Sequence, residues 1–144
     1  MATMAQVTAT TQRTIEAPAE KVTAALADYE TVRPQILTEN YGDYRVEPDK
    51  RVHWTLQATK KRVRDQLVTV EVDRDRIVER DANSSMVTTW SVVSDGTNRS
   101  TVTVETTWNG AGGIGGFFEK TFAPKGLARI HDGVLANLDA AVRS

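Results

Sequence analysis

The 144-residue sequence contains no cysteine. That excludes disulfides, thiolate metal ligands and a cysteine nucleophile together. No run of about 18 uncharged apolar residues occurs, so no segment is expected to span a membrane. The opening MATMAQVTATTQR has neither the basic start nor the apolar stretch of a secretory signal, and the expected compartment is cytoplasmic. An excess of one charge is missing too: 18 Lys and Arg stand against 19 Asp and Glu, a formal net charge of -1. Nucleic-acid binders are usually basic, so this balance argues against nucleic acid as a partner. Repeats and low-complexity tracts are absent, and a hydrophobic content of 40% is too high for a disordered chain. Composition carries no information on oligomeric state.

What is present changes period along the chain. Gln6 to Glu16 is rich in Val, Thr and Ile and reads as a strand. Pro18 suits a first helical position, Glu20 favours a first turn, and Val22, Ala25, Leu26 and Tyr29 recur at helical spacing. Pro34 disfavours helical geometry at Arg33, so a continuation to Leu37 is expected as a separate short helix. After Gly42 the period becomes two. Tyr44 and Val46 alternate with polar residues, Pro48-Asp49-Lys50 makes a turn, and Val52, Trp54, Leu56 and Ala58 share one face opposite His53. Strands carrying Val68, Val70 and Val72, then Arg76 to Asp81, Met86 to Ser94 and Asn98 to Trp108 follow, with Asp95-Gly96 as a reversal signal. Six consecutive strands on short turns imply an antiparallel sheet of about seven strands with the first.

Pro124 to Arg143 is helical. Leu127, Ile130, His131, Val134, Leu135, Leu138, Ala141 and Val142 form an apolar arc. Lys125, Arg129, Asp132, Ala136, Asp139 and Arg143 form the opposite one. At 1.5 Å per residue this helix is about 30 Å long, enough to cross a sheet. One amphipathic helix on one sheet is a two-layer α+β fold, and residues 1–144 read as a single domain without linkers.

The run Ile15-Glu16-Ala17-Pro18-Ala19-Glu20-Lys21-Val22, ending at Leu26-Ala27-Asp28-Tyr29, resembles the opening of the polyketide cyclase/dehydrase and lipid-transport family. That family belongs to the START-related, Bet v 1-like (SRPBCC) superfamily. The segment Gly115-Gly116-Phe117-Phe118-Glu119-Lys120-Thr121-Phe122-Ala123-Pro124-Lys125-Gly126-Leu127 also looks like members of this group. The resemblance implies a helix-grip fold: an antiparallel sheet wrapped around a long C-terminal helix, two short helices after the first strand, and a cavity between sheet and helix. It implies no single activity, since the scaffold hosts carriers, cyclases, hydrolases and partner-binding proteins.

Gly110-Ala111-Gly112-Gly113-Ile114-Gly115 is a literal G-x-G-x-x-G. A dinucleotide site would need a second parallel strand after the following helix, and none is left to form. No cofactor is therefore expected. The segment reads as a glycine hinge, serving either as a plain linker or as a lid carrying Ile114, Phe117 and Phe118. Gly126, Gly133 and Ala140 mark a stripe of small residues on the last helix, for close packing or for cavity space.

His53, opposite Trp54, is expected in solvent without a role. His131, within the apolar arc, reads as a buried, hydrogen-bonded imidazole. With no second placed histidine and no cysteine, no metal site is expected. Glu79 and Asp81 point to one side of their strand, and could share a perturbed proton if that side is interior. Lys60, Lys61, Arg62 and Arg64 read as a solvated hairpin tip or a seat for an acidic head group. Ser84, Ser85 and Thr88 match no nucleophile motif.

These signals, with the resemblance, lead to a domain that binds a small hydrophobic or amphipathic, lipid- or polyketide-like molecule. Expected ligand contacts are Trp54, Leu56, Thr88, Trp90, Trp108, Ile114, Phe118, Phe122 and His131. A cyclase-, aromatase- or dehydratase-type enzyme, and a partner-binding module without ligand, are the alternatives. No catalytic residues are assigned.

Overall fold

A computed structural model describes residues 6–59, 62–109 and 124–143, apart from the side chains of 58, 59 and 62. Alternating Thr, Val and Gln make β1 (Gln6–Ile15). Two helices follow, α1 (Ala19–Leu26) and α2 (Val32–Ile36). Six strands come next: β2 (Tyr41–Val46), β3 (Val52–Thr59), β4 (Arg62–Asp73), β5 (Arg76–Asp81), β6 (Val87–Ser94) and β7 (Ser100–Asn109). The chain closes on α3 (Pro124–Arg143). The seven strands form one antiparallel sheet in the order β1-β7-β6-β5-β4-β3-β2. Strands consecutive from β2 to β7 pair as neighbours, and β1 adds at the far edge beside β7.

The two proline expectations need correction. Pro18 caps α1 rather than occupying its first turn, and its carbonyl accepts from Val22 N at 3.1 Å. Arg33 is helical despite preceding Pro34, because in so short a helix Pro34 lies where no intrahelical N–H partner is needed. The two helices are nevertheless separate. Asp95-Gly96 does reverse the chain, and Gly96 has a φ of 109°, which glycine adopts without steric cost.

Period-two alternation sorts the strands into an inner and an outer face. Trp54 and Leu56 on β3, Ile77 and Glu79 on β5, Trp90 and Val92 on β6, and Val102 and Val104 on β7 are all buried inward. Val68, Val70 and Val72 share a side as expected, but burial fades along β4 until Val72 is exposed. The apolar arc of α3 lies against this inner core through Leu127, Ile130, Val134, Leu135 and Leu138.

Two positions on α3 depart from the expected arcs. Asp139, expected in solvent, is buried and accepts a hydrogen bond from Arg13 Nε on β1 at 3.0 Å. Ala141, expected inside, is exposed. Asn137 Nδ2 donates to Ile36 O at 2.9 Å, tying α3 to the end of α2. Nearby, a Cβ on Gly133 would stand 2.9 Å from Thr38 Cγ2, so at this position the small-residue stripe serves close packing. At Gly126 no described atom lies within 4 Å of such a Cβ.

Candidate functional site

The inner face is not uniformly apolar. Where β3, β4, β5 and β6 pass beneath the start of α3, a cavity of about 20 Å³ remains, the room of about one water molecule. The sheet lines it with Trp54, Leu56, Gln66, Glu79, Thr88 and Trp90; α3 contributes Leu127 and His131. Arg33, Leu37, Tyr41 and Met86 close the sides.

Its base is a buried ion pair. Arg33 of α2 and Glu79 of β5 are 2% and 4% exposed, so neither charge is balanced by water. Glu79 Oε2 accepts from Arg33 Nη2, and from the Tyr29 hydroxyl at 2.5 Å. Glu79 Oε1 accepts from Trp90 Nε1 at 3.0 Å. Arg33 Nε donates to Leu26 O at 2.7 Å, and Nη2 also to the Tyr29 hydroxyl at 2.9 Å. The guanidinium carbon lies 4.6 Å from the ring centres of both Tyr29 and Trp90, a cation–π contact on each. Burial opposes the charge on Arg33, but the Glu79 carboxylate together with the hydroxyls of Tyr29, Tyr44 and Tyr41 outweighs it and holds the guanidinium protonated. Burial also pushes the Tyr29 hydroxyl well above its ordinary value, keeping it a donor.

On the opposite wall stands His131. Burial, reinforced by the charge of Arg33, lowers its imidazole to about 4, so the ring is neutral near pH 7. It meets Trp90 edge-on at 5.7 Å, but the hydrogen bond expected of it is not made among the described residues. Tyr41 likewise has no side-chain hydrogen bond among them, and burial raises its hydroxyl. Tyr41 and Tyr44 pack on Trp54, the first edge-on at 6.0 Å and the second stacked at 6.3 Å. The indole of Trp54 donates to Gln66 Oε1 at 2.8 Å.

Five of the nine expected contact residues therefore meet at one cavity: Trp54, Leu56, Thr88, Trp90 and His131. Trp108 is buried inward but does not line it. Ile114, Phe118 and Phe122 lie outside the described residues, as do the glycine segment and Lys60-Lys61. Arg64 does not belong to a solvated tip. It stands opposite inward Leu56, is partly buried, and is lowered by that burial against the pull of Asp81.

Two expectations about titratable groups also need correction. Glu79 and Asp81 both point inward, as the alternation requires, but the two carboxylates are not hydrogen-bonded to each other. Asp81 instead accepts from Leu67 N, Asn83 N and Ser84 Oγ at 3.1, 3.1 and 2.6 Å, closing the β5–β6 turn. His53 is buried on the outer face rather than solvated. A register shift in β2 between Gly42 and Arg45 brings the Asp43 carbonyl to 2.8 Å from His53 Nδ1, while Asp65 Oδ1 lies 2.6 Å from Nε2. Burial would lower this imidazole, but the Asp65 carboxylate and the Asp43 carbonyl outweigh it and raise its pKa. Both nitrogens face acceptors, so the doubly protonated ring fits the site.

Sequence reasoning missed Arg33, Tyr41, Gln66 and Met86. Gln66 was within reach, because it precedes inward Val68 by one period of β4. Among the described residues no group of three or more His, Asp or Glu side chains is gathered as metal ligands would be. None of the described helices is long and apolar enough to cross a membrane.

The sequence profile described as Polyketide cyclase / dehydrase and lipid transport matches residues 4–143. No curated protein matches the chain. Among solved structures it is similar to the KanY protein, at 49% identity over 98% of this chain and 100% of that one, with a TM-score of 0.88. It is similar to the Zhui aromatase/cyclase from Streptomyces sp. R1128, at 14% identity over 96% and 94% of the two chains, with a TM-score of 0.75. A START superfamily protein from Mycobacterium smegmatis aligns at 11% identity over 94% and 97%, with a TM-score of 0.70. Likeness at such low identity is likeness of fold, and the fold is the helix grip.

Proposed function

Because the chain belongs to the polyketide cyclase / dehydrase and lipid transport family, we propose that the cavity between sheet and α3 binds a hydrophobic or amphipathic small molecule. The observation that carries this reading is His131: a neutral imidazole, buried on the cavity wall, with no hydrogen-bond partner among the described residues. A ligand hydroxyl or a trapped water in the cavity would supply the partner that this ring lacks. Around it the walls are aromatic and aliphatic, from Trp54, Trp90, Tyr41, Leu56 and Leu127. That is the mixture of apolar lining and few polar points that small-molecule sites share. At about 20 Å³ the cavity must enlarge to admit a ligand. Met86, unbranched and flexible, is the wall side chain best able to yield.

A cyclase- or aromatase-type reaction, such as the name of the Zhui neighbour indicates for that protein, needs a group free to move a proton. Glu79 is engaged by three donors. An imidazole lowered to about 4 is a weak base and is not protonated to act as an acid near pH 7. Carriage or sequestration is therefore favoured over catalysis.

A native mass spectrum of freshly purified protein should show an adduct of a co-purified apolar molecule. Binding of an apolar fluorescent dye should weaken in Trp54→Ala. Undiminished dye binding by a folded Trp54→Ala variant would overturn the reading.

A further inference from the structure

Among the described residues lining the cavity, Arg33 is the one cation. A cation in an apolar pocket is ordinarily a seat for a ligand's carboxylate or phosphate. Here three donors converge on one place: the Arg33 guanidinium, the Tyr29 hydroxyl and the Trp90 indole N–H. Both oxygens of a carboxylate are satisfied there, and that carboxylate belongs to the protein. We infer that Glu79 fills the cavity's anion seat from within, so that the site accepts uncharged ligands and refuses carboxylates. The inference rests on the cavity being the ligand site.

Among the described lining residues an anion finds no second cation. The rings of Tyr29 and Trp90 each lie 4.6 Å from the guanidinium carbon, so the cation is held in an aromatic setting as well as paired. Arg33 Nε is held by Leu26 O. An entering carboxylate would meet the like charge of Glu79, and only neutral donors, the His131 ring N–H and the Tyr41 hydroxyl, would stand in for its hydration. An uncharged hydroxyl loses far less and can donate to the His131 ring. Glu79 thus determines specificity by exclusion, an unfavourable contact built against the wrong ligand.

A matched pair of probes tests this: 2-naphthalenemethanol and 2-naphthoate, which share a ring system and differ in charge, titrated calorimetrically into wild type and Glu79→Gln. Wild type should prefer the alcohol by about tenfold or more, and Glu79→Gln should narrow or reverse that preference. Equal affinities in wild type, or an unchanged preference in Glu79→Gln, would overturn the inference. A second measurement does not depend on either probe. Glu79→Ala vacates the seat, so sodium acetate should raise its melting temperature by several degrees relative to sodium chloride at equal ionic strength. Wild type and the double variant Arg33→Met/Glu79→Ala should show no such difference. If Glu79→Ala is unfolded in chloride, folding restored by acetate supports the inference. No acetate dependence, folded or unfolded, overturns it. If neither naphthyl probe binds wild type, the cavity reading is what fails, and the acetate comparison alone decides the role of Glu79.

Discussion

Trp90 Nε1 donates to Glu79 Oε1 across a diagonal of the β5–β6 pair, in which Glu79 stands opposite Thr88 and Trp90 opposite Ile77. The indole therefore reaches along the inner face by two residues, and its ring also covers the Arg33 guanidinium. Phenylalanine at position 90 would keep most of the apolar area and lose the N–H. Trp90→Phe should destabilise the fold by about 1–3 kcal/mol, the cost of leaving a buried acceptor short of a donor. Urea denaturation measures it, and a loss within about 0.5 kcal/mol, the range of an ordinary surface substitution, would mean that Oε1 does not depend on this bond.

Removing one partner of a buried pair is costlier than removing both, because the survivor keeps its charge without compensation. Arg33→Met should lose about 3–5 kcal/mol of stability. Adding Glu79→Gln to it should restore part of that loss, since glutamine is uncharged and its carbonyl still accepts from Trp90 or Tyr29. A double-mutant cycle by chemical denaturation gives the coupling, and additive losses would contradict it.

The two histidines should give stability opposite slopes against pH. His131 is lowered to about 4 in the folded protein. Its contribution is complete above its unfolded value of about 6.5, and is lost as pH falls from there toward 4, by roughly 3 kcal/mol in all. His53 is raised by its two acceptors. What it contributes is complete below about 6.5 and is lost as pH rises through its higher folded value. Unfolding free energies across pH should therefore flatten on the acid side in His131→Gln and on the neutral-to-alkaline side in His53→Gln. The same slopes in variant and wild type would refute the assignment for that residue.

How much of this the sequence disclosed depended on the range of the contacts involved. Alternation placed Trp54 on the apolar face and put Glu79 on one side with Ile77, and helical spacing placed His131 in the apolar arc, because both are set by a residue's own neighbours. Alternation left open which side of β5 and β6 is interior. Arg33 was opaque. Its burial requires Tyr29 from its own segment together with Glu79 and Trp90 from two later strands, and nothing local to an arginine beside a proline indicates such company. His53 misled for a related reason. The outer face reads as solvent until an irregularity in β2 lays the Asp43 backbone across the ring.

The glycines of α3 give a sharper contrast. Gly126→Ala should stabilise by up to about 1 kcal/mol, since no described neighbour opposes the methyl and alanine favours the helix. Gly133→Ala should destabilise despite the same gain. Thr38 Cγ2 lies in the way, and that side chain is fixed by its hydroxyl bonded to Asn40 Oδ1 at 2.8 Å. Thr38→Ser removes the obstructing methyl and keeps the hydroxyl, so Gly133→Ala/Thr38→Ser should recover the lost stability. Thermal melts of the four proteins decide it.

The strand order has a consequence for how the chain is made. β1 is synthesised before the other described strands, yet its one neighbour in the sheet among the described residues is β7, the last of them. Ser100 Oγ donates to Ala17 O across 83 residues, and Thr103 Oγ1 reaches Gln12 Oε1 across 91. Long-range closure of this kind slows folding, because the loop must be ordered before the contacts that stabilise it exist. The earliest strand therefore waits, unpaired, for nearly the whole sheet to be translated. Throughout that interval its Thr-rich edge is open to any other strand that meets it.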